Sequence, residues 1–184
     1  MKAALIYSGY LRTFAECRAN HAEMLQGAEI YQYHVNDLLH ELHYHKHDPE
    51  HPYEANRIPE TVTHATLNQW RNNMLAFQLA PKDLDVYVRM RYDITISKPI
   101  DLSSYDYADN RIYIPRGNDY RDGINDQFAF GSYKAMAVYF DMYNHHEQLF
   151  NKGYQFHTES YLYRHLLDSG IEIIRIEQEN KIVR

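Results

Sequence analysis

Residues 86–93 read VYVRMRYD, and their regular alternation of side chains predicts a β-strand with two different faces. One face is apolar, and the other carries Tyr87, Arg89, Arg91 and Asp93. Such a polar face fits either an edge strand with a solvated outer row or a strand that borders a site for an anion. Buried arginines need anionic partners, and Asp93 can serve only one of them well.

A diphosphate would satisfy both arginines, because each guanidinium can form paired hydrogen bonds that a lysine cannot copy. Asp93 follows at the carboxyl end of the strand, where its carboxylate could hold a divalent ion bound to that diphosphate. Hard oxygen ligands of this kind suit Mg²⁺ or Mn²⁺. The strand therefore predicts substrate contacts from Arg89 and Arg91 and a metal ligand at Asp93.

Length and composition exclude several classes of protein. The 184 residues are enough for one domain with its own core, and the net charge of −6 argues against general nucleic-acid binding. The lone Cys17 excludes an internal disulfide framework. No apolar run approaches the roughly 20 residues of a membrane span. We therefore expect a cytoplasmic protein with no membrane span and no nucleic-acid partner.

The amino-terminal residues predict a strand, a loop and a helix in succession. AALIY at 3–7 is typical of a buried strand, SGYLR at 8–12 forms the loop, and TFAE at 13–16 fits a capping box at a helix start. A loop between a parallel strand and a helix amino terminus is where open α/β sheets bind nucleotides. Arg12 lies in that loop, either as a surface residue or as a contact to phosphate or base.

The remaining pattern alternates strands with helices. Strands are predicted at AEIYQYHV, RIYIP, QFAFGS and IEIIRI. Helices are predicted around Leu67–Phe77, through Phe150 with Ser132 as the cap, and to Gly170 with Thr158 as the cap. This order predicts a single-domain α/β fold with a mostly parallel central sheet flanked by helices.

Residues 36–64 break the regular pattern with six histidines and three prolines. The histidines allow a zinc-binding interpretation, but structural zinc sites usually combine defined spacing with cysteine, and this segment has none. A variable insert or an active-site flap is the other interpretation.

Two further segments carry side chains suited to chemistry. In GINDQFAFGS at 123–132, Asp126 could act as a general base or bind an acceptor hydroxyl, with Asn125 and Gln127 orienting it and contacting substrate. The other interpretation is a turn rich in Asn and Asp. In FHTES at 156–160, His157 could complete a metal shell and Glu159 could bind sugar hydroxyls, or both could belong to the start of a helix.

The segments ALIYSGYLRTF, VYVRMRYDI, IYIPRGN, GINDQFAFGS and HTE, in this order and spacing, resemble a family of small A-type nucleotide-sugar glycosyltransferases of bacteria and large viruses. The resemblance covers nearly the whole chain. It implies a nucleotide-binding, Rossmann-like fold, a nucleoside-diphosphate sugar as donor, and a divalent metal ion, Mn²⁺ or Mg²⁺, at the diphosphate.

The resemblance also implies roles for single residues. It places Ser8, Gly9 and Arg12 at the nucleotide, Arg91 and Asp93 at the diphosphate and metal, Asp126 near the reacting sugar carbon or the acceptor, and His157 and Glu159 at the far wall. A-type enzymes usually carry an Asp-x-Asp pair where this chain has Arg91-Tyr92-Asp93. That departure weakens the case for metal dependence, since a guanidinium can neutralise a diphosphate without a cation.

The sequence thus predicts a single glycosyltransferase-like domain over 1–184 with a variable insert at about 36–64. It would transfer a hexose from a nucleoside-diphosphate sugar to a hydroxyl of a glycan or glycoconjugate acceptor. Two alternatives stay open: a nucleotide- or glycan-binding module of the same fold without catalysis, and a metal-binding protein that uses the histidines. The stereochemical outcome is also open.

Overall fold

The computed structural model describes residues 1–9, 13–36 and 60–183, without the side chains of 36 and 60–64. Five helices lie within these ranges: α1 Phe14–Met24, α2 Glu60–Gln78, α3 Tyr133–Phe140, α4 Met142–Asn151 and α5 Thr158–Asp168. The strands there are β1 Lys2–Gly9, β2 Leu25–Gln26, β3 Glu29–Asn36, β4 Val86–Arg91, β5 Ile94–Ile96, β6 Ile100–Asp101, β7 Arg111–Pro115, β8 Phe128–Gly131, β9 Glu172–Ile176 and β10 Asn180–Ile182.

The central sheet has six strands in the order β3-β1-β4-β8-β7-β9. The pairs β3–β1, β1–β4 and β7–β9 are parallel, whereas β8 runs antiparallel to both of its neighbours. The predicted mostly parallel α/β sheet is confirmed. Because β8 is reversed, its amino end lies at the same edge of the sheet as the carboxyl ends of β1 and β4.

The two faces of the sheet are covered differently, and the alternation predicted for β4 is confirmed. Tyr87 packs with Ala4 and Ile6 in a core that also contains residues of α2, α3, α4 and α5. Val88 and Met90 point the other way, into a second core that includes residues of β5 and β6. The sheet is therefore buried on both faces.

Helix boundaries differ from the sequence expectations in several places, and α2 begins at Glu60 rather than near Leu67. Thr13 makes no side-chain capping hydrogen bond, and its hydroxyl instead lies 3.4 Å from the carbonyl of Val183, so the predicted capping box is wrong. Ser132 does cap α3, but the predicted long helix ends at Phe140, and α4 begins after Asp141. Thr158 is the first helical residue of α5 rather than its cap.

Four short strands were not predicted. β2 pairs with β6, and β10 pairs antiparallel with β5 outside the main sheet. Each has only two or three residues, too few for a periodic pattern. Through β10, the segment from 180 to 182 is brought beside the loop that follows β4.

The histidine-rich segment falls mostly outside the described residues, which resume at Glu60 with α2. Residues 37–59, which the sequence predicts to be either a variable insert or a zinc-binding segment, lie outside the described residues. Among the described helices, none combines the length and the apolar character needed to cross a bilayer.

Candidate active site

The candidate site lies where β1 and β4 end and β8 begins. Arg91 closes β4, Asp93 follows it, and Asp126 lies two residues before β8. The first turn of α5 adds Glu159, whose carboxyl group feels the charges of both Asp126 and Arg91. The reversed direction of β8 brings together residues that lie more than 30 positions apart in the sequence.

Asp126 is held from two sides. Gln69 of α2 donates to its Oδ2 at 2.7 Å, and the hydroxyl of Tyr139 donates to its backbone oxygen at 3.0 Å. The residue is 7% exposed, and Oδ1 has no hydrogen-bond partner among the described residues. Oδ1 is therefore the atom of this carboxylate that can still accept a hydrogen bond.

A cavity of about 10 Å³ lies beside Asp126, and its other polar lining residues include Gln69, Asn73 and Thr158. That volume is at the lower limit for one water molecule. Gln69 and Tyr139 were not identified by sequence reasoning. No local pattern marks them, because each lies on a helix far from Asp126 in the sequence.

What we call the buried polar wall consists of Asn125, Gln127 and Asn180. Asn180 donates from Nδ2 to Gln127 Oε1 at 2.5 Å and accepts at Oδ1 from Asn125 Nδ2 at 3.0 Å. Asn125 Oδ1 in turn accepts from the backbone amide of Gln127 at 2.9 Å. All three side chains are buried. They bind one another on either side of Asp126 and so fix its backbone, while their predicted substrate contacts stay a prediction.

The loop before Asp126 is clamped to α5. Ser160 donates to Asp122 at 2.8 Å, and the amide of Ile124 donates to the carbonyl of Glu159 at 3.2 Å. The hydrogen bonds from Ser160 and Arg164 lower the pKa of Asp122. Gly123 is required here, because a Cβ at this position would overlap the backbone between Glu159 and Ser160. The clamp fixes the distance between Asp126 and α5.

Arg89 lies deeper than the sequence suggested. It is 1% exposed, and its Nη1 donates to the carbonyl of Met90 at 2.6 Å. Its Nε has no hydrogen-bond partner in the described part of the chain. Burial lowers the pKa of Arg89, and the neighbouring Tyr139 and Asp126 act in the opposite direction. A ligand at the sheet edge would meet Arg91 before Arg89.

What we call the charged wall consists of Arg91, Asp93, His157 and Glu159. Arg91 donates from Nε and Nη2 to the two oxygens of Asp93, at 2.9 and 2.8 Å. The side chain of Arg91 is 30% exposed. Burial lowers the pKa of Arg91, but the hydrogen bond to Asp93 and the surrounding carboxylates outweigh it, so the pKa is raised.

His157 and Glu159 lie side by side at the start of α5. His157 Nδ1 is 2.8 Å from Glu159 Oε2 but is not aligned for a hydrogen bond, and the imidazole stacks on Tyr120 with ring centres 4.4 Å apart. Burial lowers the pKa of His157, as does the charge of Arg121. Burial and the charge of Asp126 raise the pKa of Glu159 to about 7.

The predicted metal ligands do not form a metal site as they stand. Both oxygens of Asp93 accept hydrogen bonds from Arg91, and His157 lies against Glu159. Within residues 1–9, 13–36 and 60–183, no group of three or more His, Cys, Asp or Glu side chains is arranged to hold a metal ion. The side chains present therefore do not fit a divalent cation, and no chemical step below is assigned to one.

The nucleotide residues predicted at the end of β1 are only partly described. Ser8 is buried and donates its hydroxyl to Oδ1 of Asn73, so this hydroxyl is engaged by α2. Gly9 has φ +113°, a backbone conformation that residues with a side chain rarely adopt, and no described residue other than its chain neighbours lies within 4 Å of the position that a Cβ would take. Arg12 lies outside the described residues.

An aromatic cluster supports the same edge from the opposite face of the sheet. Tyr92 stacks on Tyr7 with ring centres 5.0 Å apart, and Phe14 packs edge-on against both rings. The Tyr7 hydroxyl hydrogen-bonds to His21 at 2.9 Å. Sequence reasoning missed this cluster. It anchors Tyr92 in the core, which leaves Arg91 and Asp93 on the other face.

Comparisons with known proteins give a fold match only. No family model matches the sequence, and no curated protein matches it. A glycosyltransferase involved in glycosylation of the major capsid of PBCV-1 superposes with a TM-score of 0.56 at 12% identity, over 96% of this chain and 82% of that one. This chain has the A-type glycosyltransferase fold.

The galactosyltransferase LgtC, solved with donor and acceptor sugar analogs, matches with a TM-score of 0.49 at 14% identity, over 94% of this chain and 73% of the other. The A-type fold was predicted from the resemblance in sequence motifs and is confirmed by the structural match to the PBCV-1 glycosyltransferase. At this level of identity the match carries no residue roles.

Proposed function

We propose that this protein is a glycosyltransferase that moves a hexose from a nucleoside-diphosphate sugar to a hydroxyl of a glycan or glycoconjugate acceptor. The observation that carries the proposal is the meeting of Asp126, Arg91 and Glu159 at one edge of an A-type sheet. The amide of Arg91 donates to the carbonyl of Gln127 at 3.1 Å, and the amide of Ile124 donates to the carbonyl of Glu159 at 3.2 Å, so both residues lie beside the segment that holds Asp126. A base that accepts the proton of the acceptor hydroxyl and a cation that stabilises the departing phosphate are groups that sugar transfer can use.

Asp126 is the proposed general base. Gln69 holds Oδ2, which leaves Oδ1 to accept the proton of the acceptor hydroxyl. The hydroxyl oxygen then forms a bond to the anomeric carbon, and the bond from that carbon to the diphosphate oxygen breaks with the electron pair moving to the diphosphate. This sequence inverts the anomeric centre. If the reaction retains configuration, Asp126 positions the donor instead.

Arg91 is the proposed partner of the departing diphosphate. Asp93 fixes its guanidinium by two hydrogen bonds, so the charge is in position before the donor binds. A preorganised charge of this kind stabilises the developing negative charge without rearrangement. Glu159, at the start of α5, is the proposed contact to sugar hydroxyls.

The experiment is a thermal-shift panel of uridine, guanosine, cytidine and thymidine diphosphate sugars, followed by assay of released nucleoside diphosphate. A donor present at about 100 times its dissociation constant should add roughly 2.7 kcal/mol to the free energy of unfolding. Release of nucleoside diphosphate that depends on Asp126 supports the enzyme. If no member of the panel stabilises the protein, the proposal is wrong.

A second candidate is a binding module that keeps the fold without catalysis. It is favoured by the closed surroundings of Asp126, which is 7% exposed beside a cavity of about 10 Å³. Donor binding without release of nucleoside diphosphate, with or without added glycan acceptors, would support this candidate over the enzyme.

A further inference from the structure

The guanidinium of Arg91 has N–H groups that donate to no residue in the described part of the chain. A guanidinium carries five N–H groups. Among the described residues, Arg91 donates only to Asp93, through Nε and Nη2, and so uses two of the five. Its side chain is 30% exposed, whereas that of Asp93 is 15% exposed. The remaining three donors thus lie on the more accessible member of the pair.

Asp93 is correspondingly poor as a ligand for a cation. Each of its oxygens already accepts a hydrogen bond from Arg91, at 2.9 and 2.8 Å. A divalent ion bound to Asp93 would lie within a few ångströms of the Arg91 charge and would be repelled by it. Of the two charges in this pair, that of Arg91 is the more accessible to a bound ion.

The backbone next to Arg91 is also held in place. Tyr92, between the two charged residues, is 1% exposed and stacks on Tyr7 in the opposite core. The carbonyl of Asp93 accepts a hydrogen bond from the amide of Val183 at 2.8 Å. Arg91 and Asp93 are therefore held on one face by a buried ring and a backbone bond, which limits their freedom to rearrange around an incoming ion.

We propose that Arg91 itself supplies the positive charge for the diphosphate of the donor, so that nucleoside diphosphates bind this protein without a divalent metal ion. The guanidinium takes the place that a metal ion would occupy, with Asp93 as its positioning residue. This inference rests on the proposed function, because it assumes that a nucleoside diphosphate is the ligand.

The test measures binding of UDP, GDP, CDP and dTDP by isothermal titration calorimetry, in EDTA and in Mn²⁺. For the best of the four, we expect dissociation constants in the two buffers that agree within about threefold. Arg91→Ala should weaken binding in EDTA at least tenfold, because it removes the guanidinium, and Arg91→Lys should recover only part of the loss. Arg91→Asp should abolish binding in EDTA.

Arg111→Ala is the matched control. Arg111 is also a strand arginine, 25% exposed and ion-paired with Glu172, but it lies at the amino end of β7, on the opposite edge of the sheet. It should leave nucleotide binding unchanged. Thermal unfolding without ligand shows whether each variant is folded, and the comparison of buffers on the wild-type protein needs no variant.

The outcomes separate the two proposals. Binding that requires Mn²⁺ overturns the role of Arg91 and leaves the glycosyltransferase proposal standing. Binding in EDTA that survives Arg91→Ala, or falls equally in Arg111→Ala, also overturns it. If none of the four nucleotides binds in either buffer, both proposals are wrong. Binding in EDTA that is lost with Arg91 alone supports the inference.

Discussion

The buried polar wall and the charged wall flank the same aspartate but are built on different principles. In the buried polar wall, Asn180 bonds to the residues on either side of Asp126, and all three side chains are buried. In the charged wall, Arg91 has N–H groups that donate to none of the residues 1–9, 13–36 and 60–183, and its side chain is 30% exposed. Substitutions in the first should lower stability, and substitutions in the second should change binding, catalysis or pH dependence.

Asp126 lies between the walls, and its replacement should have the largest effect. Asp126→Asn keeps the shape and an oxygen for Gln69 but removes the base, so transfer should fall by about 100-fold or more. Initial rates with the best donor from the panel give the measurement. Thermal unfolding should stay near that of the wild type. Wild-type turnover would remove the assignment of Asp126.

The next largest effect is expected in the buried polar wall. Asn180→Ala removes the partner of one N–H of Asn125 Nδ2, whose other N–H donates to the carbonyl of Gly117, and the partner of Gln127 Oε1. The loss should lower the free energy of unfolding by about 2–4 kcal/mol. Urea denaturation followed by circular dichroism measures this. Asn151→Ala, at an exposed position in the last turn of α4, is the control and should change stability by less than about 0.5 kcal/mol. Equal stability of the two variants would contradict the proposal that the buried polar wall stabilises the fold.

Glu159 in the charged wall should make stability depend on pH. Its pKa is raised from 4.5 to about 7, so the folded state holds a proton that the unfolded state releases between those values. The carboxyl group therefore destabilises the fold increasingly as the pH rises from 4.5 to 7.

The variant Glu159→Gln isolates this contribution. It should be more stable than the wild type by about 1–2 kcal/mol at pH 8, a value reduced for partial exposure, and the difference should vanish near pH 4.5. Urea denaturation of both proteins at pH 4.5 and at pH 8 measures this difference in the free energy of unfolding. A difference that does not change with pH would assign the effect to packing.

The smallest effect is expected from His157, which is in the charged wall and stacks on Tyr120. His157→Ala should cost only about 0.5–1 kcal/mol of stability, through loss of the ring contact. Because we propose no metal at this position, the variant should bind nucleotides equally in EDTA and in Mn²⁺. Loss of a Mn²⁺-dependent component would restore His157 as a metal ligand.

Much of the sheet was predictable from sequence. β7 at Arg111–Pro115 matches its predicted limits, and the two faces of β4 follow from alternation alone. Ser132 was correctly predicted as a cap, because it directly precedes a strongly apolar helix. Thr13 was predicted as a cap from the capping-box pattern TFAE, but its hydroxyl donates to the carbonyl of Val183, a residue 170 positions away. Local patterns cannot register a competing partner at that distance.

The sequence by itself determined the strand alternation and the positions of Asp126, Arg91 and Glu159 near element ends, because these depend on neighbouring residues. Only the tertiary structure decided that Arg89 is enclosed while Arg91 is half open, and that Asn125 and Gln127 bind Asn180. The physical reason is that burial and hydrogen-bond choice depend on which chain segments meet in space. In this protein, the antiparallel pairing of β8 with β4 and of β10 with β5 brings the site residues together. No residue pattern within β8 or β10 indicates which strand it will pair with.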